Sequence, residues 1–387
     1  MTKITAPWIS RASSRAVVTA IEAGGFQALF VGGCVRNALI GAPVADIDIA
    51  TDAPPHQVIR LAEAAGLKAI ATGIEHGTVT LVSDGIPFEV TTFRRDVETD
   101  GRRAVVAFST DIIQDARRRD FTMNALYAQS DGAVIDPLGK GLSDLSARKV
   151  RFIDDAEARI HEDYLRILRF FRFHAWYGKP EIGPDPEALA AISSSLGGLA
   201  GLSAERIGAE MTKLAAAPDP APAFATMEQV GVLTHVLPGA DAKAIPLLID
   251  LETRLSVEPD AMRRLAVIGG EDVGDRLRLS RKDARRLEII GLAARNMMGP
   301  EELGYRLGAQ TAWDALLVRS ALSGSDLSAV AYETVKRGAA AQFPISAHDL
   351  QDRLAGPELG AELKRLENRW IASGFAIDRA SLLAHGD

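Results

Sequence analysis

Residues 28–48 constrain this chain more than any other segment, because they join an apolar strand, a double-glycine turn and two closely spaced aspartates. The apolar start predicts a buried strand, Gly32 and Gly33 predict a tight turn, and residues 34–40 predict a short helix. The free N–H groups at the start of such a helix can face an anion. Arg36 lies in its first turn. The segment therefore predicts a phosphate-binding turn.

Asp46 and Asp48 are separated by one residue, as are Ile47 and Ile49. In a strand, this period places both carboxylates on one face and both isoleucines on the other. Mg²⁺ usually binds one or two protein carboxylates and fills its other positions with water and substrate phosphate oxygens. Such a pair alone is more often an exposed strand edge, but beside the glycine turn it favours a metal site.

Composition indicates a soluble globular protein of more than one domain. The chain has 387 residues, of which 47% are hydrophobic and 25% charged, and no apolar run is long enough to cross a bilayer. One cysteine, Cys34, excludes an internal disulfide and a cysteine-based metal cluster, and we interpret it as a packing residue. With no signal peptide recognisable, we expect a cytoplasmic protein that does not bind membranes.

The order of predicted elements indicates an α+β chain. Segments alternate between strand and helix up to about Asp144, and the pattern is helical almost throughout after it. Residues 78–92 predict a β-hairpin around a glycine-containing turn. Glu89 in its second strand either joins the aspartates across the sheet or is an ordinary edge-strand glutamate. Residues 94–103 predict a mobile loop, after which residues 105–108 resume the sheet.

The helical half starts with an amphipathic pattern over residues 156–177, which predicts one long helix ended by Gly178 and Pro180. Residues 218–222 predict a hinge between helical bundles. The net charge of −7 argues against nonspecific wrapping of nucleic acid, although two local clusters are basic. The first is 117–119. The second is either an RNA-binding surface or a solvated helix face, and consists of Arg276, Arg278, Arg281, Lys282, Arg285 and Arg286.

Three motifs in this order resemble the family of class II tRNA nucleotidyltransferases and bacterial poly(A) polymerases, which belongs to the DNA polymerase beta-like nucleotidyltransferases. The motifs are Gly32-Gly33-Cys34-Val35-Arg36 with Asp46-Ile47-Asp48 and Thr51, Arg118-Arg119-Asp120-Phe121-Thr122-Met123-Asn124-Ala125, and Glu162-Asp163-Tyr164-Leu165-Arg166-Ile167-Leu168-Arg169. Weaker similarities extend over nearly the whole chain. One departure is Asn37, where the family usually has aspartate; asparagine keeps the acceptor but loses the charge.

The resemblance implies a polymerase-beta-like catalytic head with a mixed or antiparallel sheet over residues 1–150. A helical neck that selects the nucleotide would follow over 151–217, and a helical RNA-binding body and tail over 218–387.

The resemblance also implies roles for the motif residues. Asp46 and Asp48 would bind two Mg²⁺ ions for in-line nucleotidyl transfer, with Glu89 as a third catalytic carboxylate. Gly33, beside Gly32, would leave room for the triphosphate and Arg36 would bind it. Further nucleotide contacts are implied for Arg118, Arg119, Asp120, Asp163, Arg166, Arg169 and Arg172.

Asp163 and Arg166 would act as a protein template for the base. Cytosine and adenine both carry an exocyclic amino group that a carboxylate can accept from, so CTP and ATP would be used and UTP and GTP refused. Without the resemblance, the acidic and basic residues of 162–172 would be intrahelical salt bridges, and Arg119 with Asp120 a surface ion pair.

The activity implied is addition of the 3′-terminal CCA to tRNA, whose 3′ end and acceptor arm would lie along the helical half. A poly(A) polymerase, or an enzyme adding only A or only CC, would have the same site. A noncatalytic RNA-binding protein on this scaffold is the alternative of another class, although a binder has no need of a metal pair.

Overall fold

A computed structural model describes residues 2–100 and 103–384, with the side chains described outside residues 96–106. The chain divides into two compact units, Met1–Val236 and Leu237–Asp387. We treat each unit by itself. The finer division at residues 150 and 217 stays a prediction.

The first unit contains all strands of the described residues. They form a seven-stranded sheet in the order β3-β4-β5-β2-β1-β8-β9 and a two-stranded ribbon, β6-β7. Every pair in the large sheet is antiparallel except β2 with β5, which is parallel. The strands are β1 (Ala28–Val31), β2 (Asp48–Thr51), β3 (Lys68–Gly73), β4 (Thr78–Ser83), β5 (Ile86–Thr92), β6 (Arg94–Asp100), β7 (Arg103–Phe108), β8 (Tyr127–Ala128) and β9 (Val134–Ile135).

The helices of the first unit cover the sheet and continue beyond it. Two of them, α2 and α4, pack on the sheet beside β4. The helices are α1 (Pro7–Ser10), α2 (Ala12–Glu22), α3 (Gly33–Leu39), α4 (Pro55–Ala64), α5 (Ile112–Arg117), α6 (Gly141–Ser146), α7 (Ala156–Glu162), α8 (Leu165–Tyr177), α9 (Pro186–Ser194), α10 (Ala204–Ala215), α11 (Ala221–Gln229) and α12 (Val232–Val236), with 3₁₀ turns at Ile74–His76, Thr122–Asn124 and Leu196–Gly201.

The predicted strand, turn and helix at the start of the site are confirmed. All four residues of β1 are buried, which explains its continuous apolar run. Leu29 and Val31 pack in a core cluster with Tyr127 and Phe93. The hairpin of β4 and β5 is confirmed as well, and both Asp84 (φ 50°) and Gly85 (φ 75°) of its turn have the left-handed backbone that a tight hairpin needs.

The predicted loop over residues 94–103 was wrong in its described part, because β6 pairs with β7 in antiparallel register. The expectation that residues 105–108 resume the large sheet was also wrong, since β7 belongs to the separate ribbon. Cross-strand backbone hydrogen bonds build such a ribbon without requiring an apolar face, so the missing apolar period was a poor guide. The mobility that we predicted for the segment stays a prediction.

Residues 156–177 form two helices, so the prediction of one long helix was wrong. Asp163 follows α7 with an extended backbone (φ −157°, ψ 104°), and its Oδ1 accepts a hydrogen bond from the backbone N–H of Leu165, 3.1 Å away. Aspartate often competes with helical hydrogen bonding in this way. The predicted end at Gly178 is confirmed, since α8 stops at Tyr177.

The second unit is helical throughout its described residues. Its helices are α13 (Ile245–Arg254), α14 (Ala261–Ile268), α15 (Val273–Arg276), α16 (Arg281–Arg295), α17 (Pro300–Leu307), α18 (Ala309–Ser323), α19 (Ala329–Ala340), α20 (Gly356–Ala372) and α21 (Arg379–Ala384), with a 3₁₀ turn at Ala347–Asp349. The predicted α+β class, with an all-helical C-terminal region, is confirmed. Within the described residues, no helix is both long and apolar enough to span a bilayer.

A buried ion network ties four helices of the second unit together. Arg263 of α14 and Asp314 of α18 are each no more than 1% exposed and pair at 2.8 Å. Glu252 of α13 accepts from both Arg263 and the neighbouring Arg264. Arg286 of α16 reaches the second oxygen of Asp314 at 2.7 Å. Removing one member would leave buried charges unpaired, so this network stabilises one packing of these helices.

Candidate active site

Two carboxylates are neighbours across β2 and β5, and a third precedes β2 in the chain. Asp48 is the first residue of β2 and is directly opposite Glu89 in the parallel register, while Asp46 precedes the strand. Ile47 and Ile49 are 7% and 0% exposed, whereas Asp46 is exposed and Asp48 half-buried. The predicted alternation of buried isoleucines and accessible carboxylates is thus confirmed. The parallel pairing also brings Glu89 beside the aspartates.

The carboxylates repel one another. Burial first, and then the negative charges of Glu89 and Asp46, raise the pKa of Asp48 from 3.8 to about 6, while Arg119 opposes the shift. A group in such a place gains from a neighbouring cation, which would stabilise its ionised form.

The donor atoms fit a hard divalent cation. In the described part of the chain no three His, Cys, Asp or Glu side chains already converge into a ready metal cage. Mg²⁺ does not require one, since it binds through one or two carboxylates plus water and phosphate oxygens. The nearby Cys34 thiol donates to the carbonyl of Val31, and burial raises its pKa to about 11, so it stays protonated and offers no soft ligand.

The glycine turn leaves open space in front of two guanidinium groups. Gly32 has φ 70°, and a Cβ there would lie 3.3 Å from Nη1 of Arg119. A Cβ on Gly33, the first residue of α3, would lie 3.8 Å from Nη2 of Arg36. A side chain at Gly32 would crowd Arg119, whereas a Cβ at Gly33 would only contact Arg36, so the turn keeps the approach to Arg119 clear.

Arg36 is 6% exposed and is held by neutral groups. Its Nε and Nη2 donate to Oδ1 of Asn37 at 3.1 and 2.8 Å, and its Nη1 donates to Oδ1 of Asn124 at 2.5 Å. Its Nη2 also donates to the hydroxyl of Tyr177 at 2.8 Å, and the guanidinium carbon lies 3.9 Å from the centre of that ring. Burial lowers the pKa of Arg36.

Arg118 and Arg119, which follow α5, share Asp115 of that helix. Arg119 donates to Asp115 at 3.1 Å and to the hydroxyl of Tyr127 at 3.2 Å, and Arg118 lies 3.8 Å from Asp115. Burial alone would raise the pKa of Asp115, but the charge of Arg119 and the Tyr127 hydrogen bond bring it below the ordinary value. Arg119 and Asp120 thus have separate partners, and the alternative of a surface pair between them was wrong.

Asp120 connects the segment that follows α5 to α8 through an ion pair with Arg169. It is 8% exposed, and its Oδ2 accepts from Nε and Nη2 of Arg169 at 2.8 and 2.5 Å. Its Oδ1 accepts from the side chain of Asn124 at 2.8 Å. Burial would raise the pKa of Asp120, but Arg169 and these hydrogen bonds lower it overall. Glu210 of α10 then pairs with Arg172 at 2.5 Å and lies 3.7 Å from Arg169.

The two residues expected to read the base each have a charged partner. Asp163 accepts from Arg206 of α10 at 2.6 Å. Arg166 donates to Glu162 at 2.5 Å and to the carbonyl of Arg118 at 3.1 Å. Glu162 makes the expected intrahelical salt bridge with Arg159 of α7, but its pair with Arg166 joins α7 to α8, and Asp163 pairs with α10.

The basic cluster belongs to the second unit, around the turn between α15 and α16. Arg286 is engaged in the buried ion network. The other five side chains are exposed, namely Arg276, Arg278, Arg281, Lys282 and Arg285.

Sequence reasoning missed the residues that hold the functional side chains in place. Asn124 lies inside one of the quoted motifs but received no role, and Glu210 lies outside the three motifs. Tyr177 gave one signal, its spacing of four residues from Phe173, which places both rings on one side of α8. Both rings contact the Arg36 guanidinium, at 3.9 and 5.1 Å.

Comparison with known proteins explains this arrangement. A model of the poly A polymerase head domain matches residues 28–151, and one described as a probable RNA and SrmB-binding site of polymerase A matches residues 183–243. The human mitochondrial CCA tRNA nucleotidyltransferase 1 is 33% identical over 92% of this chain and 85% of its own. A CCA-adding enzyme of Limosilactobacillus fermentum is 32% identical over 96% of this chain and 95% of its own. The chain belongs to the CCA-adding enzyme family of tRNA nucleotidyltransferases.

Solved structures agree with this family. The Bacillus stearothermophilus CCA-adding enzyme in complex with CTP has a TM-score of 0.79 at 27% identity, covering 95% of this chain and 94% of that one. The fold is also shared with a Thermotoga maritima CCA-adding enzyme complexed with tRNA, at a TM-score of 0.70 and 20% identity over 98% and 95% of the two chains. The resemblance found in the sequence is confirmed. As a nucleotidyltransferase family, it implies use of a divalent cation.

Proposed function

We propose that this chain adds the 3′-terminal CCA to tRNA from CTP and ATP. Its similarity to CCA-adding enzymes over almost their full length is the observation that carries the proposal. The carboxylates of Asp46, Asp48 and Glu89 beside the glycine turn support it, because a protein that only bound RNA would have no need of this charge repulsion.

Each addition joins the 3′ oxygen of the RNA to the α-phosphorus of the incoming nucleotide and breaks the bond from that phosphorus to the leaving pyrophosphate. Mg²⁺, held by Asp46 and Asp48 with Glu89 beside them, would lower the pKa of the 3′ hydroxyl and balance the charge of the triphosphate. Arg36 would bind the triphosphate over the open turn at Gly32 and Gly33. Arg118, Arg119 and Asp120 would contact the ribose and phosphates.

Base choice would depend on Asp163 and Arg166. Bound to Arg206 and Glu162 as they are, they would exchange these partners for the edge of cytosine or adenine. Arg169 and Arg172, anchored by Asp120 and Glu210, would keep α8 in position for this. A wrong base would be refused because it would leave Asp163 or Arg166 unpaired after the charged partner has been given up.

The exposed part of the 276–286 cluster would bind tRNA phosphates, because backbone contacts are mainly basic and insensitive to sequence. Residues 1–150, 151–217 and 218–387 would then act as catalytic, nucleotide-selecting and RNA-binding parts. A cytoplasmic location stays a prediction, since relatives named as mitochondrial are among the matches.

One assay tests the activity. Purified protein with Mg²⁺ is given a tRNA lacking the last three nucleotides, the same tRNA lacking only the final A, or the complete tRNA, with each nucleoside triphosphate alone and in combination. We expect two C residues and then one A on the shortest tRNA, and nothing added to the complete one. Long A tails on unrelated RNA would instead identify a poly(A) polymerase, the activity named in the matching head-domain model. RNA binding without incorporation would identify a noncatalytic protein.

A further inference from the structure

The arginines of the site differ in the charge of their partners. Five have a carboxylate within ion-pair distance: Arg118 and Arg119 with Asp115 at 3.8 and 3.1 Å, Arg166 with Glu162 at 2.5 Å, Arg169 with Asp120 at 2.5 Å and Arg172 with Glu210 at 2.5 Å. Arg36 has no such carboxylate among the described side chains. Its acceptors are the amide oxygens of Asn37 and Asn124 and the hydroxyl of Tyr177.

The neutral partners orient Arg36 almost completely. Of its five N–H groups, Asn37 takes two, and Asn124 and Tyr177 take one each. One N–H on Nη1 is left without a partner among the described residues. The charged groups that influence its pKa are already engaged, since Asp120 binds Arg169 and Arg172 binds Glu210. The guanidinium is therefore fixed in direction but keeps its full charge.

The geometry points to Asn37 as a positioning residue that sets the strength of triphosphate binding through Arg36. Its amide oxygen holds the guanidinium beside Gly33 without neutralising it. Its Nδ2 also donates to the carbonyl of Pro43 at 2.7 Å, which ties down the loop that leads to Asp46. An aspartate at this position would pair with Arg36 and could not donate to Pro43. This inference rests on the proposed function and adds a residue that determines affinity for the polyphosphate.

Nucleotide binding without tRNA tests the inference directly. Calorimetric titration with CTP and with CMP in Mg²⁺ would compare the wild type with Asn37→Asp and Asn37→Ala. Asn37→Asp should weaken CTP binding about tenfold, the value of one charge-assisted hydrogen bond, and CMP binding much less. The dependence of CTP affinity on KCl concentration should also become shallower. Asn37→Ala loses the same contact to Pro43 but adds no charge, so it should retain the wild-type salt dependence.

Two further variants complete the design. Asn368→Asp adds the same charge beside another arginine, since Asn368 accepts from Arg306 at 3.2 Å in the second unit. It should leave both Kd values unchanged. Asn37→Ser replaces Asn37→Ala if thermal unfolding shows that the alanine variant does not fold. In the transfer assay, Asn37→Asp should raise the KM for CTP with little change in kcat.

The outcomes separate the inference from the proposed function. Equal CTP affinity and salt dependence in the wild type and Asn37→Asp would overturn the role of Asn37 and leave CCA addition standing. The same would follow if Asn37→Ala or Asn37→Ser matched Asn37→Asp in both measurements, because charge would then not matter. A wild-type protein that binds no triphosphate would overturn both.

Discussion

At the scale of single residues, the site is defined by which charges are balanced and which are not. Asp120 and Asp115 each have an arginine, and both ionise readily despite burial. Burial and the charge of Glu89 raise the pKa of Asp48 to about 6, because the opposing charge of Arg119 does not offset them. Arg36 is the corresponding cation without a carboxylate. The unbalanced groups are those that would meet the metal and the triphosphate.

Replacement of Asp48 by Asn should abolish nucleotide transfer while folding and tRNA binding stay nearly intact. The amide cannot supply the negative oxygen that a divalent cation needs. Transfer is measured as CTP incorporation into shortened tRNA, and binding by filter retention. Glu75→Gln, an acidic residue in the 3₁₀ turn Ile74–His76, is a control for loss of one charge. Turnover at the wild-type rate in Asp48→Asn would contradict the metal site.

The same substitution predicts a pH effect on stability. Because the folded protein raises the pKa of Asp48 from 3.8 to about 6, the folded state binds this proton more tightly than the unfolded state. The metal-free wild type therefore loses stability as pH rises through this window, and the loss is complete above pH 6. Asp48→Asn should be more stable by about 1–3 kcal/mol at neutral pH and equally stable near pH 4. Urea unfolding in chelator measures this, and a difference independent of pH would exclude the shift.

Arg166 should contribute to base choice more than to rate. Arg166→Ala removes the guanidinium while leaving the metal carboxylates, so discrimination of CTP against UTP should fall about tenfold or more with transfer retained. Arg159→Ala is the matched control, since Arg159 also pairs with Glu162. Single-nucleotide incorporation with each triphosphate is the measurement. Unchanged discrimination in Arg166→Ala would count against a protein template for the base.

At the scale of elements, the sequence predicted those parts that depend on local pattern. The strand, glycine turn and short helix of residues 28–40 follow from an apolar run that is ended by two glycines. The hairpin of β4 and β5 follows from the alternation of apolar and polar side chains. The break at Asp163 did not follow, because it depends on one side-chain hydrogen bond to Leu165 and on pairing with Arg206 of α10. Nor did β6, whose polar sequence carries no period, or its pairing with β7 in a separate ribbon.

The candidate site was predictable to a similar degree. Motif spacing found the side chains that carry charge, among them Asp46, Asp48 and Arg36. It gave no roles to Asn124, Tyr177 or Glu210, because their contacts join residues far apart in the sequence. Arg36 to Tyr177 is such a contact, linking α3 to the end of α8.

Substitution in the glycine turn should lower both the unfolding free energy and the CTP affinity, whereas a matched glycine elsewhere should affect the unfolding free energy alone. Gly32→Ala introduces a Cβ at φ 70° and places it 3.3 Å from Arg119. Gly183→Ala also introduces a Cβ at φ 70°, with no atom within 4 Å. Both variants should lose about 1 kcal/mol of unfolding free energy, but only Gly32→Ala should lose CTP affinity. Thermal unfolding and CTP titration check this. Equal CTP affinity in both variants would show that the space before Arg119 is not used.

At the scale of the whole molecule, arginines of both units take part in ion-pair networks. In the first unit, site arginines such as Arg119, Arg169 and Arg172 pair with carboxylates. In the second unit, Arg263, Arg264 and Arg286 are likewise bound inside the helical packing, whereas Arg281, Lys282 and Arg285 are exposed. One basic stretch in the sequence therefore contains both a structural arginine and candidates for RNA contact.

Exchange of Arg281, Lys282 and Arg285 together for Ala should weaken tRNA binding and leave CTP binding unchanged. If all three contact phosphates, the slope of log affinity against log salt should fall by about 2–3. Arg286→Ala should instead lower the unfolding free energy by about 1–3 kcal/mol, because it leaves Asp314 partly unpaired. Filter binding over a range of KCl and urea unfolding separate the two effects. An unaltered slope in the triple variant would assign these residues to a solvated helix face.

The parallel pairing of β2 with β5 also determines when the carboxylates come together during folding. β4 and β5 form a local hairpin, but Asp48 and Glu89 become neighbours only after α4 and β3 have been folded back and the longer chain closure has been made. A nascent chain that ends before β5 has its first two aspartates but no opposing glutamate. Asp48 and Glu89 are thus brought together only in the step that pairs β5 with β2, and the cost of bringing these like charges together belongs to that step.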